Sequence, residues 1–214
     1  MRRFEDDVKK RLLPHLEGSP LYGVVKSGYI AGKRLLDPII RPRRFRCYGL
    51  GLGKSGTHSL AALFGREYHS AHEPYDKELI GKLLERKDGR LSRAAFRAYL
   101  RRRDRHLWLE MEVSTLLIHY AEELTEMYPE ARFVLLVRDP FSWLNSSWNQ
   151  LALRDRARWY KDLDAWRYGG DACDYGDASE ADALGPHQLP GVRSHFRLWG
   201  GHYRRLRQNL PEER

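Results

Sequence analysis

The run Gly49-Leu50-Gly51-Leu52-Gly53-Lys54-Ser55-Gly56-Thr57-His58-Ser59 sets four spaced glycines, one lysine and several hydroxyls ahead of the helix-forming Leu60-Ala61-Ala62-Leu63-Phe64. Glycines let backbone N–H groups turn inward on one point. A helix start adds partial positive charge, and Lys54 adds a full one. That chemistry holds a phosphate or a sulfate. The alternative is a glycine-rich turn with no ligand, which leaves the Lys, Ser and Thr beside a helix start unexplained. The nucleoside-triphosphate loop has the form G-x-x-x-x-G-K-[ST]. Counting back from Gly53-Lys54-Ser55, its first glycine belongs at position 48, which is Tyr48; Gly49 is one position late. The spacing is a near miss for a triphosphate site.

Such a loop needs a strand before it and a helix after it. Phe45–Leu50 reads as the strand and about His58–Glu67 as the helix. A short strand is expected at Tyr68–Ala71, then a helix carrying Leu79, Ile80, Leu83 and Leu84. Ser92 is the expected cap of another, with Ala95, Phe96, Tyr99 and Leu100 on its apolar side. His106–Glu112 reads as a strand and Thr115–Met127 as a helix. Arg132–Val137 is a continuously apolar strand, as expected when a parallel sheet is covered on both faces. It runs into Arg138-Asp139-Pro140, where Asp139 is a natural helix cap and Pro140 suits the first helical position. Helices are expected at Trp143–Leu153, Ala157–Trp166 and Val192–Asn209, with a polar loop over Gly169–Pro190. Strands alternating with helices predict an α/β fold with a doubly wound parallel sheet.

The chain has 214 residues, enough for one α/β domain with a sizeable core. Lys+Arg 38 against Asp+Glu 29 gives a net charge of +9, which favours anionic partners. The densest basic run, Arg101-Arg102-Arg103-Asp104-Arg105, is expected to be a solvated helix face. Residues 1–44 are basic and interrupted by Pro14, Pro20, Pro38 and Pro42; they are expected to form an extension packed on the core. Two cysteines, Cys47 and Cys173, make no disulfide framework and suit a reducing compartment. No apolar run approaches the ~20 residues that span a bilayer, and the N-terminus has no apolar signal core. A cytoplasmic location is expected, with no transmembrane segment and no nucleic-acid partner.

Two segments together resemble the sulfotransferase family. Gly53-Lys54-Ser55-Gly56-Thr57 is similar to that family's 5′-phosphosulfate loop, P-[KR]-S-G-T-[ST], with Gly53 in place of the proline and His58 in place of the second hydroxyl residue. Arg132 to Ser146 is similar to the strand-to-helix segment that holds the donor's 3′-phosphate, in which a strand-end arginine and a serine eight positions later make the contacts. Those positions are Arg138 and Ser146. An arginine offers a planar fork to a phosphate, and a serine two turns along the next helix can reach the same group. The resemblance covers roughly residues 45–150.

It implies a P-loop nucleoside triphosphate hydrolase-like fold over 45–214, and 3′-phosphoadenosine 5′-phosphosulfate (PAPS) as donor. It implies transfer of a sulfuryl group to a hydroxyl or amine, adenosine 3′,5′-bisphosphate (PAP) as product, and no metal. Lys54 would hold the bridging oxygen and the 5′-phosphate. Ser55, Gly56, Thr57 and His58 would donate to that phosphate, with Gly53 and Ser59 completing the loop. Glu73, about twenty residues past the loop, is where several branches place a catalytic base; Glu112 is the second candidate and His72 the third. Ser59 replaces the adenine-stacking tryptophan of many members, for which Trp143 or Trp148 would compensate. The family continues into a further strand and loop where this chain stops, so the domain is expected to be truncated. The acceptor is expected to be a small molecule or a glycan, including a glycolipid. Two other readings remain: a nucleotide kinase, with Asp139 as the metal-holding carboxylate, and a non-catalytic anion-binding module.

Overall fold

The computed structural model describes residues 42–153, 158–168 and 191–210. The chain divides into two compact units. One takes Arg102–Trp108 together with the N-terminal segment, of which residues 42–44 are described. Within it, the Arg43 guanidinium donates to both carboxylate oxygens of Asp104 at 3.0 and 3.1 Å and lies 4.5 Å over the Trp108 ring. The remainder of the extension expected over 1–44, the polar loop over Gly169–Pro190 and Cys173 lie outside the described residues.

The other unit, Phe45–Arg101 with Leu109–Arg214, holds a four-stranded sheet. Its strands are β1 (Cys47–Leu50), β2 (Ser70–His72), β3 (Met111–Ser114) and β4 (Arg132–Leu135). All pairings are parallel, in the order β2-β3-β1-β4. The glycine loop therefore leaves a central strand, with β3 and β4 ending on either side of it. Ligands of open parallel sheets bind at that carboxyl edge. The helices are α1 (Thr57–Phe64), α2 (Asp76–Lys87), α3 (Arg93–Leu107), α4 (Ala121–Met127), α5 (Pro140–Leu153), α6 (Arg158–Tyr168) and α7 (Val192–Asn209).

Side chains alternate across β1, and each set finds its own core. Tyr48 and Leu50 join the large core with Leu79, Phe96, Leu117, Leu163 and Leu206. Cys47 faces the other way, with Met111, Val113 and the Ala61 of α1. Gly49 is on that second face. A Cβ there would come within 2.9 Å of Leu60 Cδ2 and 3.0 Å of Val113, so the absent side chain lets α1 close on the sheet. Both faces of β1 and β3 are covered, whereas β4, expected to be covered on both sides, lies at the sheet edge and leaves Arg132 and Leu135 exposed.

Several boundaries differ from the sequence expectation, three of them with a plain physical reading. The strand expected at His106–Glu112 begins only at Met111, because α3 runs on through its basic stretch to Leu107 and ends at Trp108, whose φ is 48°. The helix expected over Thr115–Met127 is a 3₁₀ turn at Leu117–Tyr120 followed by α4. The last strand stops at Leu135, two residues before the apolar run does.

Candidate functional site

The loop after β1 folds on itself. The N–H and Oγ of Ser55 both donate to the Leu52 carbonyl, at 3.1 and 2.7 Å. Lys54 takes φ 70° and Gly56 φ 102°, both left-handed. Left-handed turns interleaved with ordinary ones point successive N–H groups to one side. Gly51 is required by space: a Cβ there would meet Ser55 Oγ at 2.4 Å and Leu136 Cβ at 2.9 Å. Gly56 caps α1, and no side chain bonds into that helix start. The first-turn N–H groups have no partner inside the helix. They are left for a guest, with the positive end of the helix dipole behind them.

This loop forms one wall of a cavity of about 960 Å³. Every loop residue expected from sequence, Gly53 to Ser59, lines it, and so do Arg138 and Ser146. The link between the glycine loop and the segment after β4 is direct: Arg138 Nη1 donates to the Lys54 carbonyl at 2.8 Å. Trp143 Nε1 donates to the Gly53 carbonyl, also at 2.8 Å. Trp143 is 2% exposed and also lines the cavity, so it holds the loop from within the cavity wall. Trp148 does not line the cavity; its ring packs 5.8 Å from that of His195.

Asp139 does what its sequence position suggested. Its Oδ1 accepts the Ser142 N–H at 2.9 Å, and its carbonyl accepts the Trp143 N–H at 2.8 Å, starting α5. The Ser142 N–H holds its carboxyl below the usual range. It does not line the cavity, so the metal-holding role weighed for a kinase has no support in its position.

Glu73 follows β2 in a left-handed turn, φ 45°, and its N–H donates to the Val113 carbonyl at 2.9 Å. A non-glycine residue held there stores strain and fixes where the side chain points. Its carboxylate lines the cavity, and Oε1 accepts the Thr115 hydroxyl at 2.6 Å and the Thr115 N–H at 3.3 Å. His72 lines the cavity too, with Nε2 hydrogen-bonded to Thr57 Oγ1 at 3.0 Å and its ring 5.3 Å from that of His58. Burial lowers its pKa, opposed by the Glu73 charge and reinforced by His58. Glu112 is placed elsewhere. It is buried mid-strand in β3, on the face away from α1, and is not part of the cavity wall.

The sequence reading missed the opposite wall. Tyr160, Asp164 and Arg167 of α6 line the cavity at i, i+4 and i+7, one stripe of one helix. Arg167 Nη2 donates to the Thr115 carbonyl at 2.9 Å. The helix expected at Val192–Asn209 is α7, but its part in the site was missed: Trp199 and Tyr203 donate to the Arg138 and Leu136 carbonyls at 3.0 and 2.8 Å. The stripe spacing was readable. The tryptophan and tyrosine bonds to backbone carry no local pattern.

A parallel α/β sheet whose central strand runs through a glycine loop into a helix is a fold of P-loop-like architecture. Residues 46–214 match the family described as sulfotransferase domain, and the chain belongs to that family. It is therefore a sulfuryl-transfer enzyme. No curated protein matches the chain significantly in sequence. Among the described residues, no helix is long and apolar enough to cross a membrane, and no group of three or more His, Cys, Asp or Glu is placed to hold a metal ion.

Proposed function

We propose that the chain transfers a sulfuryl group from PAPS to a hydroxyl, or an amine, of a small-molecule or glycan acceptor. One observation carries this reading. The uncapped start of α1, the Lys54 loop and the Arg138–Ser146 pair line the same cavity as the Glu73 carboxylate. A bisphosphate donor needs two anion subsites, and the cavity wall offers two.

The residues fit such a donor. The Gly51 and Gly56 backbone makes a cradle that a side chain would fill or strain, and the α1 N–H groups stand ready for the 5′-phosphate. The remaining fork of Arg138 and the Ser146 hydroxyl suit the 3′-phosphate. The donor supplies a sulfuryl group already attached to a phosphate leaving group. Lys54 and the loop N–H groups stabilise negative charge on that phosphate, and their rigid placement requires no reorganisation during reaction. Glu73 takes the acceptor's proton as its oxygen or nitrogen attacks, and the cavity walls set the line of approach. A reducing, cytoplasmic setting fits the buried free thiol of Cys47.

The test is direct. The purified chain should bind PAP without magnesium and move labelled sulfuryl from PAPS to members of a hydroxyl and amine acceptor panel. Arg138→Ala should weaken PAP binding about 10- to 100-fold, as expected when a charged hydrogen-bond partner is lost. Magnesium-dependent ATP hydrolysis without PAP binding would overturn the reading. PAP binding without transfer to any acceptor would favour the non-catalytic module.

A further inference from the structure

We propose that Thr115 and Arg167 are positioning residues for Glu73, acting as a chain that fixes which carboxylate oxygen is free to accept a proton. The proposal rests on the reading of Glu73 as base.

Thr115 follows β3 and is 4% exposed. Its hydroxyl oxygen lies 2.6 Å from Glu73 Oε1 and 3.4 Å from Arg167 Nη2. Arginine has donors only, so the Thr115 oxygen must accept on that side. Its single proton is then directed at Glu73. The Thr115 N–H reaches the same Oε1 at 3.3 Å. Both donors from Thr115 thus engage one oxygen of the carboxylate, and Oε2 is the one left to take a proton from the acceptor. Arg167 is itself held. Its Nη2 donates to the Thr115 carbonyl at 2.9 Å, and its Nε lies 3.4 Å from His119 Nε2. The His119 ring packs on Trp166 with centroids 4.4 Å apart. Burial, with the Arg167 charge beside it, keeps that imidazole well below its ordinary pKa, so its Nε2 can accept. The chain runs from α6 across the end of β3 to the turn after β2. It joins three elements that meet only in the folded molecule.

Steady-state kinetics, PAP calorimetry and thermal melts on the full chain test this. Thr115→Val and Arg167→Met should each lower kcat about 10- to 100-fold, the cost typical of losing a ligand's outer support. PAP affinity and acceptor KM should hold, and Thr115→Ser should recover most of the turnover. Added to Glu73→Gln, Thr115→Val should cost nothing further, since the group it orients is gone. Losses that multiply in the double variant would overturn the chain, as would a silent Thr115→Val beside an inactive Glu73→Gln. A loss confined to acceptor KM would also overturn it and make these residues acceptor contacts. Full turnover in Glu73→Gln is a different failure: it overturns the base assignment, and the chain falls with it. Wild-type melting of Thr115→Ser keeps the test valid if the valine variant folds poorly.

Discussion

At the scale of single residues, the site depends on atoms that are missing as much as on those present. Gly51 leaves room for Ser55 Oγ to turn back on the Leu52 carbonyl. Gly51→Ala should push the loop from Leu136 and cost about 1–3 kcal/mol of stability, as overpacking does. The melt should show that loss together with weaker PAP binding. Lys54 lines the cavity and is the charge proposed to face the leaving phosphate. Lys54→Ala should reduce kcat about 100- to 1,000-fold, the range for removing one preorganised electrostatic contact. Its backbone is left-handed, φ 70°, so alanine keeps the strain and loses only the cation. Lys54→Gly should then melt no lower than Lys54→Ala, while remaining as inactive.

At the scale of elements, the anion loop is held by its neighbours through its carbonyls. Arg138 takes that of Lys54 and Trp143 that of Gly53. These donors fix the curve of the loop; the Ser55 N–H is already taken by the Leu52 carbonyl, so the N–H groups without a partner inside the helix are those of the first turn of α1. The β4–α5 connection is held in turn by Trp199 and Tyr203 of α7. Trp199→Phe removes one hydrogen bond of about 1 kcal/mol while keeping most of the ring packing. The expected outcome is a several-fold loss of PAP affinity with acceptor KM unchanged, measured by calorimetry and steady-state rates. Unchanged PAP affinity would show that α7 packs on the site without tuning it.

At the scale of the molecule, buried imidazoles set the acid limit. His202 is 3% exposed, and burial, helped by the Arg167 and Arg205 charges, pulls it from its ordinary 6.5 to about 3. His119 moves the same way for the same first reason. Between the two values the unfolded chain binds a proton that the folded chain refuses. Stability is therefore full above about pH 6.5 and falls as pH drops, by about 1.4 kcal/mol per pH unit for each such group. Melting temperature should decline steeply from pH 7 to pH 5. His202→Gln should flatten that slope; an unchanged slope would remove His202 as its source.

The same scale shows what was legible and what was not. Local order determined a great deal. The glycine loop, its helix, the apolar strand and the Asp139 cap are properties of a few adjacent residues, and backbone sterics and periodicity express them directly. The parallel α/β class followed from their alternation, and membership of the sulfotransferase family from two short segments. The tertiary structure alone decided which carboxylate reaches the cavity. Glu73 and Glu112 both sit near strand ends in the sequence. Alternation within the sheet buries Glu112 in mid-strand, while the left-handed turn after β2 lets Glu73 line the cavity. Arg167 joins Thr115 across 52 residues, and Trp199 reaches Arg138 across 61. Such contacts depend on the packing of whole helices, because a hydrogen bond is specified by position in space and leaves no periodic trace along the chain.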